Sequence, residues 1–173
     1  MKRTISMTKN YYDGIAKGYS NLYHLEQKLK INKIKSYLNN FSKVLDCGSG
    51  DGVLNNFFED SVELYSIDLS ENLLKLNSNL NTRKFLGNIE DLPFKDDFFD
   101  LCVTFTVLQD LENPNLAISE ISRVLKTNGR FICSFLKLAS KKDIIISNIK
   151  KFFDIIYFVE EEKDYIYVLK KRN

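Results

Sequence analysis

The chain has 173 residues, of which 44% are hydrophobic and 28% are charged. That length suits one domain with a single core, and the composition excludes a disordered chain, a collagen-like chain and a small scaffold held by disulfides. The 25 basic and 23 acidic side chains leave a net charge of +2, which permits a polyanionic partner without requiring one. We therefore expect residues 1–173 to form a single globular domain.

Targeting and metal-binding signals are absent from the sequence pattern. No segment approaches the run of about 18 apolar residues that a membrane-spanning helix needs. The first ten residues carry charge but have no apolar core behind them, so no secretory signal is predicted. Cys47, Cys102 and Cys133 are far apart and show no metal-ligand spacing. These features predict a reduced, cytoplasmic protein with no metal site, no membrane partner and inert buried thiols.

The hydrophobic pattern predicts helices and strands that alternate along the chain. The first helix is expected over residues 22–41, where Leu25 and Leu29 belong to an apolar stripe at helical spacing. Short apolar runs predict five strands, at 44–47, 64–67, 83–86, 99–105 and 130–136. Further helices are expected at 51–58, 70–79, 113–128 and 141–151. Ser70 and Asn113 are the expected caps of two of them.

The end of the chain predicts an antiparallel hairpin, because strands at 153–159 and 165–169 flank a short polar turn. With the five earlier strands this makes seven. Strands that alternate with helices favour an α/β fold with a doubly wound, mostly parallel sheet and helices on both faces.

Three glycines follow the first strand at alternate positions, Gly48, Gly50 and Gly52. Glycines at such a junction let the backbone turn tightly and let a ligand approach main-chain atoms. The loop departs from the dinucleotide pattern because Val53 takes the place of the third glycine. Asp46 and Asp51 would also repel a pyrophosphate. The loop therefore suits a ligand that carries an ammonium or sulfonium, although Asp46 alternatively serves as a helix cap.

A second polar signal is Asp68, which ends the second predicted strand 20 residues after Gly48. An acidic residue at about this distance reaches ribose hydroxyls across the crevice of a doubly wound sheet. Its two acceptor oxygens suit a vicinal diol.

Taken together, these segments resemble the class I S-adenosylmethionine-dependent methyltransferases, and within them the ubiquinone/menaquinone-biosynthesis-like branch. Besides the glycine loop and Asp68, the resemblance is carried by four segments: 11–19 (YYDGIAKGY), 87–94 (GNIEDLPF), 99–101 (FDL) and 123–129 (RVLKTNG). It spans roughly residues 11–136, and the hairpin fits the end of the family fold. The resemblance implies a Rossmann-like methyltransferase fold, a cofactor-binding core at 42–136, and a lid or cap at 1–24. It also implies S-adenosylmethionine as cofactor and S-adenosylhomocysteine as product.

The resemblance also implies roles at the methionine end of the cofactor. Gly48, Ser49 and Gly50 would line this end. Asp46 would hold the cofactor ammonium, directly or through water. Thr104, near the end of the fourth strand, would lie close to the sulfonium.

At the nucleoside end, the resemblance assigns the ribose to Asp68 and packs Leu69 on the adenine. Asn88 would hydrogen-bond the adenine amino group, with the backbone N–H of Ile89 nearby. The family often has Asp at the Asn88 position, and Asn keeps the acceptor oxygen that adenine needs.

The N-terminal tyrosines have two interpretations that the sequence leaves open. Tyr12 and Tyr19, with Tyr11 and Tyr23, either close over the cofactor as a lid or fasten the first helix to the sheet. No catalytic residue is assigned. Many relatives have a histidine after the fourth strand, where this chain has Leu108-Gln109-Asp110, and Asp110, Tyr12 and Tyr19 are candidate bases by location only. The lone histidine, His24, is expected at the surface or partly packed.

Three functions stay open from the sequence: a methyltransferase with an unidentified acceptor, a non-catalytic S-adenosylmethionine-binding regulatory or scaffold subunit, and a nucleotide-dependent oxidoreductase. Val53 and the acidic loop disfavour the third. Small molecules and macromolecules, nucleic acid included, remain eligible as acceptor. Because little chain beyond 1–24 is left to roof a substrate, we expect a homodimer or a small activating protein subunit to complete the pocket.

Overall fold

The computed structural model describes residues 4–172, apart from the side chains of residues 17 and 19–22. Its strands are β1 (Lys43–Cys47), β2 (Glu63–Asp68), β3 (Thr82–Leu86), β4 (Phe99–Phe105), β5 (Leu125–Leu136), β6 (Phe153–Glu160) and β7 (Asp164–Lys171). They form one sheet in the order β3-β2-β1-β4-β5-β7-β6. β1 to β5 pair in parallel, and β7 pairs antiparallel with β5 and β6. The predicted seven-stranded, mostly parallel sheet with a C-terminal hairpin is confirmed.

The described part of the chain has four α-helices, α1 (Ile5–Lys33) before the first strand and α2 (Glu71–Leu76), α3 (Pro114–Val124) and α4 (Lys142–Phe152) between strands. Three short 3₁₀ helices lie at Lys35–Tyr37, Val53–Phe57 and Leu108–Asp110. The two predicted caps are present, since the Ser70 hydroxyl accepts the N–H of Leu73 and the Asn113 side chain accepts that of Asn115. Within the described residues, none of the helices has both the length and the apolar character needed to cross a membrane.

The sheet has a separate apolar core on each face, because successive strand residues point to opposite sides. On one face, Ile31 and Ile34 of α1 pack with sheet residues such as Val44. On the other, α3 and α4 bring residues such as Ile121 against sheet residues such as Leu45. Both faces are covered, which explains why the β4 sequence is almost continuously apolar. The three cysteines are buried free thiols, as predicted.

The first helix differs from its predicted bounds. It begins at Ile5 and ends at Lys33, so it includes most of the predicted cap segment. Leu25 and Leu29 of the predicted inner stripe are 73% and 56% exposed, whereas Gln27 and Lys30 are buried. The predicted buried stripe is therefore wrong at Leu25 and Leu29, and the buried part of the helix carries polar groups that find partners elsewhere in the fold.

Three other predicted helices are also shorter. The helix predicted over 70–79 spans only Glu71–Leu76. The segment predicted as a helix at 51–58 forms only the 3₁₀ helix Val53–Phe57. The helix predicted over 113–128 ends at Val124, because Leu125 already pairs with Phe99 as the start of β5. Pairing with a neighbouring strand is a tertiary interaction that local propensity does not contain.

Lys30 joins α1 to the rest of the protein through a buried ion pair. Its Nζ lies 2.9 Å from Asp164 Oδ2, at the start of β7, and 2.7 Å from Glu26 Oε1. It also donates to Thr106 Oγ1, 2.9 Å away, just after β4. The three N–H donors of the ammonium therefore have three acceptors.

Replacing this lysine should loosen α1. The substitution Lys30→Met leaves Asp164, 2% exposed, without its cation. We expect the free energy of unfolding to fall by about 3 kcal/mol or more, as is typical when one partner of a buried ion pair is removed. Urea denaturation measures the change. Lys28→Met, at an exposed position of the same helix, is the control and should change it by about 0.5 kcal/mol or less. Equal stability of the two variants would contradict this role of Lys30.

Candidate functional site

A cavity of about 360 Å³ lies where the parallel strands end. Its floor comes from residues that end or follow β1, β2, β3 and β4, namely Gly48, Asp68, Gly87 and Phe105. Helix α1 forms the wall opposite this floor. The α1 residues that line it are Thr8, Tyr11, Tyr12, Tyr23, Glu26 and Gln27. The carboxyl ends of parallel strands beside a topological switch point are the usual ligand site of doubly wound folds, and here the switch lies between β1 and β4.

Asp68 is held rigidly at this edge. Its Oδ2 accepts the backbone N–H of Gly50 and its Oδ1 accepts that of Ser70, both at 2.8 Å. Burial raises the pKa of the Asp68 carboxyl, and these two N–H groups oppose the rise. Each oxygen keeps a further lone pair, so the carboxylate can accept two hydroxyl groups from a ligand in the cavity.

Gly48 provides bare backbone at the centre of the site. Its φ is +75°, a left-handed conformation that residues with a side chain rarely adopt. An added Cβ would lie 2.5 Å from Val107 Cγ2. Glycine is therefore required here for both conformation and space.

The rest of the glycine loop faces a second, much smaller cavity of about 20 Å³. Asp46, Ser49 and Asp51 line it from the loop, and His24 and Gln27 line it from α1. His24 Nε2 lies 2.9 Å from Asp51 Oδ2, so α1 is in direct polar contact with the loop. A space of this size holds about one water molecule.

Asp46 is a buried carboxyl with a strongly raised pKa. Burial raises its pKa to about 8, and the negative charges of Asp68 and Asp51 add to the effect. At neutral pH this carboxyl is therefore mostly protonated while no cation lies beside it. A ligand ammonium would favour its charged form.

The residues that the sequence analysis predicted for the nucleoside end line the large cavity. Leu69 and Ile89 offer apolar surface, and Asn88 lies between strand β3 and the turn that follows. Asn88 Oδ1 accepts the N–H of Glu90 at 3.0 Å, which orients the amide and leaves its second lone pair for a ligand.

The structure brings most of the sequence-predicted site residues to the two cavities. Gly48, Asp68, Leu69, Asn88, Ile89 and Tyr12 line the large cavity, and Asp46 and Ser49 line the small one. Gly50 lines neither but donates to Asp68. Thr104 is fully buried and lines neither cavity. The side chain of Tyr19 lies outside the described residues.

Thr106 is a cavity residue that the sequence analysis missed. Its φ is +60°, a strained value for a β-branched residue. Its hydroxyl accepts from Lys30 Nζ, its N–H donates to the carbonyl of Ser134, and Gln109 Nε2 donates to its carbonyl. These bonds hold the backbone after β4 in the conformation that forms the cavity wall.

Tyr11, Tyr12 and Tyr23 of the α1 wall are among the residues predicted as lid candidates, whereas Glu26 and Gln27 were not predicted to line the site. Tyr23, Glu26 and Gln27 recur at helical spacing, which puts them along one side of the helix. A polar stripe is ordinarily the solvent face of a helix, so this spacing alone did not indicate a buried wall.

The arrangement fits a nucleoside that carries an amino acid. A fixed carboxylate faces the cavity for a diol, apolar surface flanks Asn88, and a cluster of acidic groups lies beside the glycine loop. Ser49 Oγ and Gln27 Oε1 are buried without a hydrogen-bond partner among the residues described, and both residues line the small cavity. Such atoms need a polar partner.

Known protein structures share this fold. The N-methyltransferase NodS of Bradyrhizobium japonicum, in complex with S-adenosylhomocysteine, superimposes with a TM-score of 0.73 at 14% identity and covers 86% of this chain and 87% of its own. A Haloferax volcanii complex of the Trm112 methyltransferase activator with a chain assigned as a methyltransferase gives 0.74 at 14% identity, over 94% and 98% of the chains. At these identities the likeness shows the fold alone.

Sequence relatives point to the same family. The ubiquinone/menaquinone biosynthesis C-methyltransferase of Paraburkholderia phytofirmans is 29% identical over 127 residues, which cover 67% of this chain and 49% of that protein. The chain spans about half the length of the curated relatives it matches. The methyltransferase domain family model matches residues 45–133, just over half of the chain. The chain therefore belongs to the methyltransferase domain family, in its class I, S-adenosylmethionine-dependent branch.

Proposed function

We propose that this protein transfers the methyl group of S-adenosylmethionine to an acceptor and releases S-adenosylhomocysteine. The observation that carries the proposal is the carboxylate of Asp68, fixed by two backbone N–H groups at the edge of a cavity that crosses the ends of four strands. A carboxylate so held is suited to a ribose diol, and family membership makes the nucleoside that of the sulfonium cofactor.

The cofactor roles inferred from the sequence are retained as part of this proposal. The adenine lies on Leu69 beside Asn88 and the N–H of Ile89, and the ribose lies on Asp68. The amino-acid end passes Gly48 toward Ser49 and Asp46. Because the small cavity has room for about one water, Asp46 reaches the ammonium through water unless α1 moves.

The protein contributes to the reaction by positioning the reactants and by keeping water away from them. The bound cofactor supplies a methyl group already activated by the sulfonium, so no residue must activate the donor. The chain's residues hold donor and acceptor in line and exclude water from between them. Tyr12 and the rest of the α1 wall close the cavity on the side away from the sheet.

Removal of the Asp68 carboxylate, which we propose binds the ribose, should abolish cofactor binding. Asp68→Ala removes the acceptor for two hydroxyl groups, so we expect the affinity for S-adenosylhomocysteine to fall by about 100-fold or more. Calorimetry measures binding, and label transfer from methyl-labelled S-adenosylmethionine to cell extract measures activity. Asp91→Ala, an exposed carboxylate outside the cavity lining, is the control. Undiminished binding by a folded Asp68→Ala protein would refute the proposed site.

Cofactor binding should release a proton from Asp46. Burial raises its pKa to about 8, so near pH 7 the carboxyl is protonated before binding and is driven to its anion by the ligand ammonium. Affinity should rise between pH 6 and 8. Calorimetry in two buffers that differ in ionisation enthalpy detects the released proton, and Asp46→Asn should release none. Identical heats for the wild type in both buffers would contradict the prediction.

We also propose that a protein partner, either a second copy or a small activating subunit, completes the acceptor side. The Haloferax volcanii neighbour, solved with an activator, supports this. So does the edge strand β6, where Ile155, Ile156, Tyr157 and Phe158 are 37–47% exposed, because an apolar edge strand is a site for pairing. Analytical ultracentrifugation should show a mass above the monomer, alone or with the partner. A monomer that methylates its acceptor unaided would contradict this proposal.

A further inference from the structure

The large and the small cavity are neighbours, because Gln27, Gly48 and Phe105 line both of them. Gly48 belongs to the glycine loop and Phe105 ends β4, whereas Gln27 comes from α1. A ligand that extends from the large cavity toward the glycine loop therefore passes Gln27 as well as Gly48. None of the cofactor contacts proposed so far uses Gln27.

The side chain of Gln27 is buried, and only one end of its amide is bonded. The residue is 7% exposed, and its Nε2 donates to Thr106 Oγ1 at 3.4 Å. Its Oε1 has no hydrogen-bond partner in the part of the chain that the structure describes. A buried carbonyl oxygen without a donor costs free energy, so a donor from a ligand would stabilise it.

The glycine loop contributes a second group of this kind. Ser49 is also 7% exposed and lines the small cavity, and its Oγ lacks a partner among the described residues. Asp46 lines the same cavity. The side chains of Gln27, Ser49 and Asp46 thus bring an amide carbonyl, a hydroxyl and a carboxyl group around one small space. Each of the three has an oxygen that can accept a hydrogen bond.

A ligand group with several N–H donors fits this set of oxygens. The unbonded end of the Gln27 amide is its carbonyl oxygen, which accepts hydrogen bonds and has none to donate to a carboxylate. An ammonium carries three donors, and hydrogen bonds from a charged donor are stronger than those from a neutral one. A ligand carboxylate at this place would leave the Gln27 oxygen without a partner.

We propose that Gln27 is a cofactor-binding residue whose Oε1 accepts a hydrogen bond from the ammonium at the amino-acid end of S-adenosylmethionine. This inference rests on the proposed function and adds a contact from α1 to those from the glycine loop. One water in the small cavity then bridges the ammonium to Ser49 and Asp46. Because the Gln27 oxygen is itself enclosed, the amide turns toward the ligand as the ligand binds.

The contact also links the cofactor to the wall of the cavity. Gln27 and Lys30 lie one turn apart on α1, and both donate to the hydroxyl of Thr106. A bond from the ammonium to Gln27 therefore adds the cofactor to the contacts that hold this helix over the sheet.

Four ligands separate the ammonium from the rest of the amino-acid end. Calorimetry compares two pairs: S-adenosylhomocysteine with its deaminated analogue, and decarboxylated S-adenosylhomocysteine with propylthioadenosine. The members of each pair differ only in the ammonium. We expect the wild type to bind the ammonium member of each pair about ten-fold or more tightly, because a charge-assisted hydrogen bond is gained. Equal affinities within both pairs would overturn the proposal.

Substitutions then assign this preference to Gln27. Gln27→Met removes the acceptor at similar side-chain length and should weaken both ammonium ligands by about ten-fold, while the other two stay within about two-fold. Gln27→Ala, with a smaller side chain, should repeat this result. Gln27→Glu keeps an acceptor oxygen and should keep the preference for the ammonium. Asn32→Leu, which removes an exposed amide from the same helix, is the matched control and should change none of the four affinities.

The opposite outcomes are distinct. Equal losses for all four ligands in Gln27→Met and Gln27→Ala would show that Gln27 only supports the fold, and would overturn the proposal. A loss confined to the two ligands that carry the carboxylate would assign Gln27 to that group instead, and so would loss of the ammonium preference in Gln27→Glu. If the wild type binds none of the four ligands, the proposed function itself fails.

Discussion

The buried ammonium of Lys30 determines where the first helix lies, and much of the site depends on that placement. By bonding to Asp164 and to Thr106, it ties α1 to the start of β7 and to the segment after β4. Gln27, one turn away, reaches Thr106 as well. These contacts help to hold the helix that forms the wall of the cavity opposite the sheet. A polar attachment of this kind is also directional, because hydrogen bonds and a buried ion pair hold one orientation of the helix.

A second constraint is the concentration of negative charge beside the glycine loop. Burial raises the pKa of the Asp46 carboxyl to about 8, the charges of Asp68 and Asp51 act in the same direction, and no lysine or arginine side chain that the structure describes lines the small cavity. Protonation of Asp46 relieves part of this repulsion. The acidic cluster therefore favours a cationic group over an anionic one beside the glycine loop. This negative charge distinguishes the glycine loop from the loops of dinucleotide sites, which must accept a pyrophosphate.

Two different parts of the fold line the large cavity. One side is built from residues at the ends of parallel strands and from backbone N–H groups, which are rigid. The side formed by α1 and the turn after β4 is built mainly from side chains, which are easier to vary. This division is consistent with a family whose shared fold serves different acceptors.

Local pattern predicted much of the fold. The strands were found because each is a short apolar run, and the parallel order followed from their alternation with helices. The positions of Gly48 and Asp68 were accessible because loop chemistry and chain spacing are local properties. Leu25 and Leu29 misled the analysis, since an apolar stripe is normally the buried face of a helix.

The sequence by itself determined the order of elements, the sheet class and the placement of Gly48 and Asp68 at the edge of the sheet, because these depend on short-range patterns and on the fixed geometry of parallel strands. Only the tertiary structure decided which face of α1 is buried, that Thr106 rather than Thr104 reaches the cavity, and that Asp110 meets Tyr12. In each case the deciding partner lies far along the chain or on another layer of the fold. Burial of a polar residue becomes favourable only when such a partner is in place.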